Sequence, residues 1–476
     1  MNIRLVLFTL GKVTFLEGFL MLLPFLVSLY YGENATPFFI AILAAFAVGT
    51  ILMVMFKTGT DKLYAREGFA ITTFCWIVLS IIGALPFVVS GTVTSFADAV
   101  FETMSGFTTT GASILTNVES VGKGLLFWRS FTHWIGGMGV LVFLVAIAEK
   151  NPNRSINILK AEMPGSKVDK LRPRARTTAR VLYYIYFVMT ILQILLLVIG
   201  DMPLFDSVVH SFGTAGTGGF GIKADSIASY SAYSQYVIAI FMLLFGVNFS
   251  FYFMMLLRRW KSAIGLTEIR WYLSIVGIAV LITTIVIMPK YGNLEESFRL
   301  SLFQVSSIIT TTGYATTDFN LWHPLAKTVL FLLMFIGGCE GSTAGGLKVS
   351  RVMVLLKNVK VELKRAIHPR LITGVRVNNK AMPPEIVHGI EAYLALYLVI
   401  LCSAFILISF EPMGFETNFT AVVTCINNVG PGFADVGPAG NFAAYSGATK
   451  VMLTALMMIG RLEIYPVLLT LLPKMK

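Results

Sequence analysis

Charged residues are scarce in this chain: only 13% of its 476 positions are Asp, Glu, Lys or Arg, against about 25% in ordinary soluble domains. That scarcity excludes a soluble enzyme, a disordered chain and a protein whose main feature is a basic nucleic-acid-binding surface. The alternating pattern of a β-barrel is missing as well. Cysteine is sparse, at Cys75, Cys339, Cys402 and Cys425, and its spacings fit no zinc or redox motif. No Walker A sequence, no H-E-x-x-H and no nucleophile–base pair is present, so catalytic residues are not expected. Gly216-Thr217-Gly218-Gly219-Phe220-Gly221 matches G-x-G-x-x-G, but no strand precedes it and no βαβ unit surrounds it.

What is present in abundance is apolar length. Hydrophobic residues make up 56% of the chain and the mean hydropathy is +0.77. A membrane span needs roughly 20 apolar residues. Spanning backbone must satisfy its own hydrogen bonds, which points to helices. Ten apolar runs are read, at 6–31, 36–56, 69–90, 124–148, 179–200, 233–257, 269–289, 323–360, 390–411 and 447–472. The formal charge of +12 falls in alternate loops. The segments 149–180, 258–270 and 357–380 are basic, whereas Asp201, Asp206, Glu295 and Glu296 mark the opposite side. The positive-inside rule then places both termini in the cytoplasm of a multi-pass cytoplasmic (inner) membrane protein. The basic segments suit either anionic lipid or a partner protein.

The non-cytoplasmic segments carry the functional information. Four half-length apolar stretches, Phe96 to Phe107, Leu204 to Ala215, Leu294 to Ile309 and Phe415 to Ile426, are too short to span. Each is followed by a glycine-bearing run at a period of about 95–117 residues. Repeats of this kind organise a fold. The expected architecture is an all-α membrane protein in which four pseudo-symmetric units of span, half-helix, filter run and span surround a central pore. The units are read as 57–150, 151–260, 261–365 and 366–476, after a two-span accessory hairpin at 1–56.

Four glycine-bearing turns meeting on one axis suggest a specific chemistry. Glycine reaches backbone angles closed to other residues, so such runs can aim carbonyl oxygens at a dehydrated monovalent cation. The candidate ligands are Thr109, Thr110 and Gly111; Thr217 and Gly218; Thr311, Thr312 and Gly313; and Asn428, Val429 and Gly430. Gly111, Gly218, Gly313 and Gly430 are taken as equivalent. No carboxylate ring accompanies them, which argues against calcium. Glu102, Arg129 and His133 are read as structural supports for these turns. A further candidate is the interruption of the 323–360 run by Gly337, Gly338, Gly341, Gly345 and Gly346. Glycine costs about 1 kcal/mol each in a helix interior, so a non-helical loop at mid-membrane, 337–346, is expected. A closely packed kink is the alternative. Arg461 is a charge inside the last run, where central placement costs roughly 2.5–3.5 kcal/mol. It should face the pore or a partner such as Glu463.

These motifs resemble those of the superfamily of potassium transporters that includes TrkH and KtrB (Trk/Ktr/HKT), and are closer to the TrkH branch. The likeness is carried by Phe107-Thr108-Thr109-Thr110-Gly111-Ala112, Trp128 to Gly139, Gly337 to Lys348, Asn427 to Gly432 and Gly460-Arg461-Leu462-Glu463. The resemblance implies potassium as the transported ion and a filter with one glycine per repeat. It also implies an intramembrane gating loop beneath the filter, faced by Arg461, and no nucleotide bound by this chain. Its implied partners are a second copy of the chain and a cytoplasmic nucleotide-binding ring of the TrkA type, with membrane lipid around it and no nucleic acid. Glu340 departs from the small residue usual in that family. Lys348 and Arg351 are expected near the cytoplasmic vestibule. A symporter coupled to H⁺ or Na⁺ is a second reading, and a polytopic membrane enzyme a third.

Overall fold

The computed structural model describes residues 2–57, 65–139, 175–368, 373–378 and 380–471. Most of the basic segment 149–180 therefore lies outside the described residues. Helices dominate. Strand structure among the described residues is one antiparallel pair, Arg376–Val377 with Lys380–Ala381. The expected all-helical membrane class is met.

Six described helices are long and apolar enough to cross a membrane: Ile3–Tyr30, Thr36–Met55, Arg66–Val89, Ala179–Ile199, Thr267–Tyr291 and Pro384–Ile408. They match six of the ten runs read from the sequence. Of the other four runs, 124–148 lies outside the described residues beyond 139, and those at 233–257, 323–360 and 447–472 do not form straight described spans. Helix Lys123–Gly137 ends at a glycine pair. Ala232–Phe245 and Phe249–Leu256 meet at 89°. Pro324–Ile336 gives way to coil until Val349–Ile367 begins. Gly447–Arg461 breaks before Tyr465–Leu471. Of these breaks, sequence reading anticipates only the one after Ile336.

The reason for the others lies in close packing. A β-carbon on Gly136 would overlap the carbonyl oxygen of Phe107, and one on Gly460 that of Ile426. One on Gly246 would come 2.6 Å from the Tyr272 hydroxyl. Each of these helices thus brings a bare backbone against a neighbour at the level where it ends. All three glycines meet the C-terminal end of a half-helix, at Phe107, Thr310 and Ile426.

Near the N-terminus two helical segments pack against each other as a hairpin. Ile3–Leu20 and Thr36–Met55 cross through small residues. A β-carbon on Gly11 would lie 2.8 Å from Leu52 Cβ, and one on Gly49 would lie 2.9 Å from Phe15 Cβ. Such contacts let apolar helices approach where no hydrophobic effect drives them together. The hairpin is tied to the rest by Glu33, whose carboxylate accepts the N–H groups of Lys123 (2.5 Å) and Gly124 (3.0 Å) at the start of Lys123–Gly137. A carboxylate is favoured at that helix end.

Candidate functional site

The half-helices are Phe96–Phe107, Leu204–Gly216, Leu294–Ile309 and Phe415–Asn427. Each carries acidic residues in its first turn: Asp98, Asp206, Glu295 with Glu296, and Glu416. Acid at the N-terminus complements the helix dipole, and it leaves about half a negative charge at each C-terminus. Those C-termini are where the four runs begin.

All four runs close their half-helix in the same way. The N–H groups of Thr110, Gly218, Thr312 and Val429 donate to the carbonyls five residues back, at 2.9, 2.8, 2.8 and 2.9 Å. The N–H groups of Thr109, Thr217, Thr311 and Asn428 donate three residues back, at 3.1, 3.1, 3.0 and 3.4 Å. This pair of bonds is the Schellman arrangement, which requires a left-handed residue. Thr109, Thr217, Thr311 and Asn428 fill that place with φ of 56, 56, 54 and 54°. A β-branched residue is a genuine outlier there, and such strain persists only where the surroundings enforce it.

Two residues later comes a second positive φ, at Gly111 (80°), Gly219 (77°), Gly313 (89°) and Gly430 (95°). This corrects the sequence register. Gly219, not Gly218, is the equivalent of Gly111, Gly313 and Gly430. Gly218 takes the place of Thr110, Thr312 and Val429. A signal was available: the apolar residue after the glycine is Ala112, Phe220, Tyr314 or Pro431, and only Gly219 keeps that neighbour.

The four runs meet in a closed circuit. A β-carbon on Gly111 would overlap the carbonyl oxygen of Gly218, and one on Gly219 that of Thr312. One on Gly313 would come 2.5 Å from the carbonyl oxygen of Val429, and one on Gly430 would come 2.7 Å from that of Thr110. The circuit is narrow, since the position built on Gly111 also lies 3.6 Å from the carbonyl oxygen of Thr312. The sequence-derived ligand candidates, from Thr109 to Gly430, lie in or beside this circuit, all buried except Gly111 and Gly313, which are half-buried. Side chains bind the runs to each other: Asn428 Nδ2 donates to Thr110 Oγ1 and to the Met457 carbonyl, both at 2.9 Å.

Glu102 and Arg129 brace the first two runs. Arg129 Nε donates to Glu102 Oε1 at 2.6 Å, with the two side chains 4% and 0% exposed. Arg129 Nη2 reaches Ser113 Oγ at 3.0 Å, Nη1 reaches the Gly221 carbonyl at 3.1 Å, and the guanidinium lies 3.8 Å over Phe220. Glu102 also accepts from Ser113 Oγ and from the Ile114 N–H. Removing one partner of a buried pair costs roughly 3–5 kcal/mol. An Arg129→Met chain in detergent should therefore melt at a clearly lower temperature, and Arg129→Lys should recover only part of the loss. Equal melting of all three would show the brace to be dispensable. His133 is placed behind the runs as well, with Nδ1 2.8 Å from the Gly106 carbonyl.

The segment between Ile336 and Val349 is non-helical, as its glycines require. Gly337, Gly341 and Gly346 each have φ of 75°. It runs directly against the circuit. The Gly345 N–H donates to Thr311 Oγ1 at 2.6 Å, and a β-carbon on Gly345 would lie 2.5 Å from the Asn427 carbonyl oxygen. Gly338 lies beside the bend at Gly246, where the Cys339 N–H donates to the Gly246 carbonyl at 2.9 Å.

Arg461 grips this segment. Its Nη1 donates to the Thr343 carbonyl at 2.7 Å, and Nη2 donates to the carbonyls of Gly136 and Gly137 at 2.6 and 2.8 Å. The pairing with Glu463 considered from sequence is not adopted; Glu463 pairs with Arg351. The reason is reach: a guanidinium can fork across several carbonyls that a helix break leaves open. Glu340 donates its N–H to Glu268 Oε1 at 2.6 Å. Arg351 packs 4.3 Å over Tyr393. Lys348 is not in an open vestibule; it is buried inside the loop, 7% exposed.

Two cavities flank the circuit. One, of about 180 Å³, is lined by Gly111, Gly219, Gly313 and Gly430 and reaches Arg129 and Lys223. The other, of about 80 Å³, is lined by the loop with Glu340, Lys348, Arg461 and Glu463.

Comparison with known proteins agrees over the full length. Residues 34–476 match the family model TrkH, described as a cation transport protein. The chain is 35% identical to the Trk system potassium uptake protein TrkH of Salmonella typhimurium, covering 99% of each. It is 34% identical to the Trk system potassium uptake protein TrkG of Escherichia coli K12, covering 98% of this chain and 97% of that one. Its fold matches the crystal structure of the potassium transporter TrkH from Vibrio parahaemolyticus with a TM-score of 0.91, at 31% identity and 99% coverage of both chains.

Proposed function

The chain belongs to the TrkH family of cation transport proteins, and on that footing we propose that it takes up potassium ion across the cytoplasmic membrane. One observation carries the reading: four runs, closed by matching backbone bonds, form a circuit whose glycines each abut a carbonyl oxygen of the next run. The ion sheds water and is held by main-chain oxygens of Thr109, Thr110 and Gly111; Thr217, Gly218 and Gly219; Thr311, Thr312 and Gly313; and Asn428, Val429 and Gly430. Carbonyl rings of this kind replace a hydration shell. Four half-helix C-termini contribute about −2 charges in total to the same point. The membrane potential supplies about 2.3 kcal/mol per charge per 100 mV.

In this reading the units at 57–150, 151–260, 261–365 and 366–476 each give one wall of the pore. The loop 337–346 is the gate, and Arg461 latches it and sets a positive barrier beneath the filter. The proposed assembly is a homodimer with a cytoplasmic nucleotide-binding ring of the TrkA type on the basic face. Both termini lie in the cytoplasm. The test is rescue of a potassium-uptake-deficient bacterium at low external potassium. Growth is expected, and failure of a well-expressed chain to rescue would overturn the proposal. Reversal potentials of the reconstituted protein should follow the potassium gradient alone; dependence on a proton or sodium gradient would favour symport.

A further inference from the structure

Lys348 occupies a backbone conformation that the rest of its loop reserves for glycine. Its φ is 74° and its ψ 136°, whereas Gly337, Gly341 and Gly346 hold the loop's other φ values of 75°. Keeping a side chain in such a sparsely populated region costs roughly 1–3 kcal/mol and persists only when the surroundings enforce it. Glycine would relieve that cost, so the lysine side chain has a reason to be there.

That side chain does not run to water. Its ammonium donates to the carbonyl of Ala344 within the same loop. Ala344 is fully buried and precedes Gly345, whose N–H is held by Thr311 of the third run. The ammonium therefore stands on the loop side of the circuit and is bound by a main-chain oxygen. Oxygen of that type is the ligand assigned to the permeating ion. An ammonium group and a potassium ion are both monovalent cations of similar size, so one carbonyl setting suits either. The same 80 Å³ cavity holds Glu340 and Glu463 beside Lys348 and Arg461, and Arg351 is committed to Glu463.

We propose that the Ala344 carbonyl belongs to a monovalent-cation site beneath the filter, and that the Lys348 ammonium occupies it as a tethered competitor of the transported ion. The inference rests on the pore reading above. An ion leaving the filter has to displace the ammonium, so Lys348 limits flux without taking part in selection at the circuit.

The experiment is potassium flux through the full-length chain in liposomes, for wild type, Lys348→Met, Lys348→Gly and Lys348→Arg. The Met and Gly chains should conduct about tenfold faster, the factor that a barrier lower by 1.36 kcal/mol gives. Lys348→Arg should stay slow. With equal potassium on both sides, raising its concentration should speed tracer exchange through the wild type more steeply than through the Met and Gly chains. Lys348→Gly also removes the backbone strain, so a purely structural lysine predicts a more stable chain with unaltered flux. Met and Gly chains that both conduct at or below the wild-type rate, while potassium still raises their melting temperature as in wild type, would overturn the tethered-cation site. A wild-type chain carrying no potassium at all would instead remove the pore reading beneath it.

Discussion

A Gly219→Ala chain should lose potassium uptake down to the background of an uptake-deficient host. The methyl group would overlap the carbonyl oxygen of Thr312 and come 2.8 Å from its carbonyl carbon. Neither atom can yield, because both are main chain inside the circuit. The residue would also have to hold φ at 77°, which an L side chain resists. Gly221→Ala is the matched control. It has no positive φ, and its nearest foreign atom would be Ser226 Cα at 3.3 Å. That chain should grow nearly as wild type at low potassium. Normal growth of Gly219→Ala, with membrane levels equal to Gly221→Ala, would refute both the register and the carbonyl circuit.

Arg461→Ala should do the opposite and raise potassium flux. Among the bonds of this arginine, one of 2.7 Å goes to the loop and two of 2.6 and 2.8 Å go to the end of Lys123–Gly137. Hydrogen bonds to charged groups contribute about 1.5–3 kcal/mol each to the structures they join. Removing them frees the Thr343 carbonyl and takes a positive charge from the ion path. Under the proposed reading, flux through purified chain in liposomes rises by roughly an order of magnitude, equivalent to about 1.4 kcal/mol of barrier. Unchanged or lower flux at equal protein would end the barrier role. Combining Arg461→Ala with Lys348→Met is informative, since both act on one loop. Residues that share a partner couple in double-mutant cycles, and independent ones add. A combined gain smaller than the product of the single gains is expected.

Much of this molecule was legible from local pattern. Apolar length marked the six long spans, and the half-helices were bounded to within a residue by the runs that end them. The glycine cluster from Gly337 to Gly346 announced a non-helical loop because five glycines weaken any helix there. Arg129 and His133 were legible as supports because positions four apart share a helix face, and Glu102 because it lies in the half-helix that leads into its own run. The actual bonds of Arg129 and Glu102, to Ser113 and to Gly221 of the next run, join positions far apart in the chain. Those pairings were not available from spacing.

Three features escaped sequence reading for related reasons. The shift from Gly218 to Gly219 depends on which glycine takes positive φ, and that follows from where the closing bond of Leu204–Gly216 falls. The breaks near Gly246 and Arg461 come with close contact between glycine backbone and neighbouring elements, which a hydropathy pattern does not register. The burial of Lys348 reflects a loop folded back on itself, whereas the residue alone reads as a solvated base.

Composition and periodicity by themselves determined that this is a helical membrane protein with four glycine-marked, half-length segments, since those properties need only neighbours along the chain. Only the tertiary structure decided which glycines abut which carbonyls, which helices bend, and where Arg461 and Lys348 direct their charge. Those outcomes depend on atoms that are not chain neighbours approaching within a few ångströms, where a single methyl group decides between fit and overlap.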